Sequence, residues 1–192
     1  MSRTLSSPGT GIDRRQFLKL SAGGTATLAL LGASSQLTGC SATVIAAPGM
    51  QFLTPDDVAL FTALLPVVNG TAYPAADAAV RDRALQRIDE ACALLQAPAR
   101  AELRKLIGLL HLRVFRRLVC GVSTGWDQAS AGELTAFLQR WRDSRVGLFN
   151  AGYRALTKLA AVGWWSQAAS WPGSTYPGPP AWALAALNAP SA

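Results

Sequence analysis

Read from residue 53 onward, the chain falls into apolar stripes of helical period, separated by short breaks. Leu53-Thr54-Pro55-Asp56-Asp57-Val58 has the form of a helix start. Thr54 can cap, Pro55 suits the first turn, the two aspartates meet the positive end, and Leu53 and Val58 occupy staple positions. The stripe Val58, Phe61, Leu64, Leu65, Val68 follows, and residues 69–74 interrupt it. A second helix is predicted over 76–95, with Val80, Leu85, Ile88, Cys92 and Leu95 inward and the Asp89-Glu90 pair on a solvated face. A third, over 99–119, carries Leu103, Leu106, Ile107, Leu110, Val114 and Leu118. Leu109, Leu112 and Phe115 widen its apolar face, which predicts a central position. Arg113, Arg116 and Arg117 crowd its last turns, where positive charge suits the helix dipole.

Residues 121–127 read as a loop. Ser130-Ala131-Gly132-Glu133 forms a capping box ahead of the stripe Leu134, Phe137, Leu138, Trp141. A last helix is predicted over 144–165, with Phe149, Tyr153, Leu156 and Leu159 inward. No segment alternates with period two over a useful length, and there is no internal repeat. The fold class is therefore all-α, a single small bundle of about five helices.

Beyond this bundle the composition changes. Residues 164–182 read WWSQAASWPGSTYPGPPAW and hold four of the six tryptophans. Trp164, Trp165, Trp171, Tyr176, Pro177, Pro179 and Trp182 make an extended Pro/Trp-rich tail. Such rings either cover the bundle's own core or strap a partner, because Trp and Tyr supply rigid contact area. The strap reading makes these seven residues the candidate partner-binding set.

The N-terminus is of a third kind. Asp13-Arg14-Arg15-Gln16-Phe17-Leu18-Lys19 precedes a soft apolar run of about twelve residues, too short for the ~20 that a spanning helix needs. It resembles a twin-arginine export signal, with Arg14, Arg15, Phe17 and Leu18 as its recognition residues and Asp13 where Ser or Thr is usual. The run ends at Leu37-Thr38-Gly39-Cys40, which looks like a lipobox with Cys40 as the acylated residue. Ordinary cleavage near Val44-Ile45-Ala46 is the rival reading. The chain thus divides into a signal peptide (1–39), a tether (40–51), a helical domain (52–166) and the tail (167–192). The twin-arginine route carries folded proteins, so a small chain with no visible cofactor motif suggests a passenger assembled with a partner before export.

Composition then removes functions. The chain has 192 residues, three cysteines and one histidine. It contains no CxxCH, no CxxC, no HExxH, no Walker loop and no GxGxxG after a strand, so no metal or nucleotide site is expected. Loss of the leader lowers the formal charge from +7 to +4, too little to suggest nucleic acid in an exported protein. His111 lies in the run Leu109-Leu110-His111-Leu112 and reads as a core or interface histidine. No catalytic residue is assigned. Cys92 and Cys120 are expected to stay unpaired: in an antiparallel hairpin turning near Ala97 they would sit roughly 27 Å apart, far beyond the about 7 Å a disulfide allows.

The twin-arginine leader, the start Phe52-Leu53-Thr54-Pro55-Asp56-Asp57, the small helical body and the ending Gly163-Trp164-Trp165, Trp171-Pro172-Gly173 and Tyr176-Pro177-Gly178-Pro179-Pro180 together resemble gluconate 2-dehydrogenase subunit 3. The resemblance spans most of residues 52–182. It implies a non-catalytic small subunit of a membrane-associated, FAD-dependent dehydrogenase of the glucose-methanol-choline type. The large subunit would hold FAD and oxidise a sugar, sugar acid or alcohol, a cytochrome c would often take the electrons, and this chain would support folding and export of the large subunit. No cofactor is expected in this chain. A stand-alone envelope lipoprotein is the alternative, and an enzyme using His111 as a base is a third reading.

Overall fold

The computed structural model describes residues 45–180 and 182–183. The described body is all helical, with five helices of twelve or more residues: α1 (Pro55–Asn69), α2 (Ala78–Ala93), α3 (Ala97–His111), α4 (Ala131–Arg142) and α5 (Gly147–Trp165). Among the described residues, no helix is long and apolar enough to cross a membrane.

Local chemistry fixes most helix starts. Thr54 caps α1 and forms a reciprocal capping box with Asp57. Asp77 caps α2 by accepting from the amides of Ala79 and Val80. Ser130 and Glu133 form the box that opens α4. Each arrangement satisfies amides that the first helical turn leaves without partners.

The core gathers Leu60, Phe61 and Leu64 of α1, Ile88 of α2, Ile107 and Leu110 of α3, Leu134, Phe137 and Trp141 of α4, and Leu156 of α5. The central element is α5, which packs against α1, α2 and α4. Its close approach to α2 depends on Gly163: a Cβ there would sit 2.9 Å from the Ala84 carbonyl oxygen and 3.0 Å from the Ile88 side chain.

The third helix differs from expectation. It ends at His111, and Leu112 takes an extended conformation (φ −67°, ψ 118°). A single turn at Arg113–Phe115 and a wide π turn at Arg116–Cys120 follow. An unbroken helix would carry the buried stripe Leu103, Ile107, Leu110 on to Val114 and Leu118. The break rotates the continuation, so Phe115 and Cys120 turn inward and Val114 and Leu118 turn out. Phe115 then meets the Trp141 ring edge-on at 6.3 Å. Leu109 and Leu112 are also exposed, so this helix lies at the periphery of the bundle.

The tail is also less extended than its composition suggests. Residues Ala168–Ser170 form a 3-10 turn and Trp171–Ser174 a helical turn. Pro172 fits that turn because an early helical position needs no amide donor. Thr175, at φ 57°, then reverses the chain, and the Tyr176 ring meets Trp171 edge-on at 5.6 Å. Gly178 passes over the same indole, where a Cβ would come within 2.8 Å of the ring.

Candidate functional site

Two regions carry polar or aromatic chemistry beyond ordinary packing. The first surrounds the segment by which the chain enters the body. Residues 45–51, read from sequence as tether, are partly built in: Ala47 is buried and its amide donates to the Leu53 carbonyl at 2.7 Å. Asp89 is buried at 3% exposure, not on the solvated face expected for it. Its Oδ2 accepts from the Gln51 amide at 2.7 Å, and its Oδ1 accepts from the amides of Phe52 and Leu53 at 2.8 and 2.7 Å. Three successive N–H groups converge on one carboxylate, so its charge is met by hydrogen bonds without a cation. Glu90, its neighbour, is exposed and pairs with Arg87 at 2.9 Å.

One step along the chain lies a second carboxylate, Asp57, with no exposed surface. Its Oδ2 accepts from the Thr54 amide at 2.8 Å and from Arg104 Nη1 at 2.6 Å. His111 Nε2 lies 2.7 Å from Oδ1. Burial by itself would raise this acid. The hydrogen bonds from His111, the Thr54 amide and Arg104 outweigh it and hold the group at about 2. Arg104 also donates to the Phe52 carbonyl, and its guanidinium stacks 3.9 Å above the Phe52 ring. The four side chains Asp57, Asp89, Arg104 and His111 thus clamp residues 51–54 from both sides.

Catalysis is a poor use for this arrangement. A carboxylate held at about 2 by three donors is a weak base. The Cys92 thiol is buried and pushed up to about 12, chiefly by desolvation and then by Asp89, so it stays protonated at neutral pH. Cys120 is likewise buried, free and pushed up to about 12 by desolvation. No group of three His, Cys, Asp or Glu among the described residues could hold a metal.

The second region is the C-terminal one. Trp164 departs from the expected partner-binding set: it is buried, with its ring edge-on to Tyr73 at 5.6 Å. The reason is helical phase, because Leu156, Ala160 and Trp164 recur every four residues on the inward face of α5. Trp165, Tyr176 and Trp182 are exposed, at 41%, 49% and 75%. Pro177 is exposed, while Trp171 and Pro179 are half-buried. The tail leaves α5 through Gln167 and Ser170, both buried: Gln167 Nε2 donates to the Gly163 carbonyl at 2.7 Å, and Ser170 Oγ to the Gln167 carbonyl at 2.7 Å. Beside it, a cleft of about 520 Å³ opens between α2 and the tail, lined among others by Arg83, Arg87, Glu90, Gln167 and Trp171. The Oε1 of Gln167 is buried there without a protein donor.

The sequence singled out His111 but neither Asp57 nor Arg104 as its companions. Arg104 and His111 stand seven residues apart, two helical turns, and so share a face of α3; that spacing was the available signal. Asp89 was similarly placed, four residues after Leu85 and three before Cys92 on the buried stripe of α2. Arg14, Arg15, Phe17, Leu18 and Cys40 lie outside the described residues.

Among known families, the TAT (twin-arginine translocation) pathway signal sequence matches residues 11–30. Neither a curated protein nor a solved structure matches the chain. The match brackets Arg14, Arg15, Phe17 and Leu18, and this chain carries a twin-arginine signal that directs it across the inner membrane to the periplasmic side of the cell envelope.

Proposed function

We propose that this chain is the small, non-catalytic subunit of a periplasmic, membrane-associated, FAD-dependent sugar or alcohol dehydrogenase. It would fold against the large flavoprotein subunit and supply that subunit's export signal, with a cytochrome c as a further partner in electron transfer. FAD would belong to the large subunit, and no residue of this chain is assigned to it. Acylation at Cys40 would hold the assembly on the membrane.

The observation that carries this reading is a run of exposed aromatic side chains, Trp165, Tyr176 and Trp182, on a helical body that bears a twin-arginine signal. Exposed Trp and Tyr provide rigid contact area at little entropic cost. Trp164 is excluded from the contact set because its ring serves the core.

If a flavoprotein without its own export signal is encoded beside this chain, co-expression of the two tests the reading. Changing Arg14 and Arg15 to Lys should leave both proteins in the cytoplasm. Undiminished export of the flavoprotein from that double variant would refute the escort role. A chain that purifies alone from its native envelope, with no flavin absorbance, would favour the stand-alone lipoprotein. Cys40→Ala should release the protein from membranes. A wild-type N-terminus at Ala46 or Ala47 would replace lipidation with ordinary cleavage.

A further inference from the structure

The break after His111 leaves a surface that the bundle does not use. Val114 and Leu118 are 71% and 77% exposed, and Leu112 is 56% exposed. The dipeptides Arg113-Val114 and Arg117-Leu118 stand four residues apart, so both cations and both apolar side chains share one side of the segment. Neither Arg113 nor Arg117 forms an ion pair among the described residues, whereas Arg81, Arg87 and Arg142 each meet an acidic neighbour. From residue 103 to 126 the chain has five Arg and Lys and no Asp or Glu. A bundle had an alternative here: continuing α3 in phase would have buried Val114 and Leu118.

We propose that residues 109–118 form a membrane-contact element that seats on the surface of an anionic bilayer. Leu112, Val114 and Leu118 would enter the headgroup boundary, while Arg113 and Arg117 would lie flat and reach lipid phosphates. Cations interleaved with apolar side chains suit that boundary because a long Arg stem packs on apolar surface and keeps its guanidinium among the anions. The charge supports an anionic lipid surface as the occupant. Arg113 and Arg117 have no acidic partner among the described residues and alternate with the exposed Val114 and Leu118, and no Asp or Glu lies between residues 103 and 126 to repel phosphates. The inference does not depend on the flavoprotein reading.

Vesicle flotation tests it, using the full chain with Cys40→Ser so that no acyl group contributes. Vesicles of phosphatidylcholine with a quarter phosphatidylglycerol should carry the protein upward at low salt, and pure phosphatidylcholine vesicles should not. Arg113→Gln/Arg117→Gln should weaken flotation roughly ten-fold or more, and Val114→Glu/Leu118→Glu should abolish it. Both variants should keep the helical circular dichroism, because all four side chains are exposed; should the Glu variant fail to fold, the Gln variant decides alone. The proposal is overturned if the parent chain does not float with anionic vesicles, or if the Gln variant floats as well as the parent. It is equally overturned if flotation survives while co-purification of a flavoprotein is lost, which would assign the surface to a protein partner.

Discussion

Residues 47–54 enter the body between two buried carboxylates, whereas residues 164–178 leave it along aromatic faces. The first attachment is directional. Asp89 takes three consecutive amides, and Asp57 takes an amide, a guanidinium and an imidazole, so the segment has one register and little freedom around it. The second is graded: Trp164 is inside, Trp171 half-buried, Tyr176 and Trp182 largely exposed. Charges that need exact partners fix a chain, while rings that need only apolar surface can be shared with another molecule. A segment that leads to an export signal and a tether benefits from the first kind of attachment, and a contact strip from the second.

The largest expected effect is therefore at Asp57. Replacement by Ala leaves Arg104 and His111 without their carboxylate and removes the capping box, and should cost about 3–5 kcal/mol in chemical denaturation. The same acid makes stability depend on pH in a fixed direction. Its folded value, about 2, lies below the ordinary 3.8, so the folded form binds its proton less readily than the unfolded chain. Its stabilising contribution is complete above about pH 4 and disappears as pH falls towards 2. The denaturation midpoint should drop across that window in the parent chain and drop less in Asp57→Asn. An equal drop in both would show that other carboxylates dominate acid unfolding.

Asp89→Asn should follow, at about 2–3 kcal/mol. Its one remaining oxygen cannot serve three amides, and its NH2 group would face donors. Hydrogen exchange should quicken at the amides of Gln51, Phe52 and Leu53 and stay slow in α4. Uniform acceleration would mean that the segment is not a separate unit.

These two carboxylates also show where sequence reading stopped. The cap at Thr54, the capping box at Ser130 and the stripe Leu134, Phe137, Leu138, Trp141 are local, and each forms as its spacing predicts; that Asp57 closes the first cap into a box was not foreseen. Asp89 reads as solvated because its partners lie 36 to 38 residues earlier, and no local pattern reveals amides in need of an acceptor. The break at Leu112 was equally hidden. Residues 109–118 contain no Gly or Pro, and a helix apolar on several sides reads as central, although here the excess apolar residues face outward. Trp164 was grouped with the tail by composition, while its helical phase with Leu156 and Ala160 would have placed it in the core.

A smaller effect is expected at the root of the tail. Gly163→Ala pushes a methyl group towards the Ala84 carbonyl, which belongs to the backbone of α2 and cannot rotate away. A cost of about 1–2 kcal/mol should result, with no change in the pH profile set by Asp57. A shift in that profile would mean that the two attachments are coupled through α2, which carries both Ala84 and Asp89.

The smallest effect on stability should come from Trp171→Ala. This indole touches Tyr176 edge-on and lies under Gly178, but it is only half-buried, and the turn around it involves few residues. Losing one aromatic pair should cost about 0.5–1.5 kcal/mol, well below the cost of removing either carboxylate. Its functional consequence should be larger than its thermal one. Without the indole, Tyr176 has no ring to rest on, the wall of the cleft beside Arg83 and Gln167 is lost, and the strip no longer presents a fixed surface. Under the small-subunit reading proposed above, co-purification of a flavoprotein should fall while the helical signal and the denaturation midpoint stay near those of the parent chain. Deleting residues 171–192 should repeat the result in stronger form. Collapse of the helical body on that deletion would instead make the tail part of the core, and would remove the contrast between a segment fixed by charge and one left open for a partner.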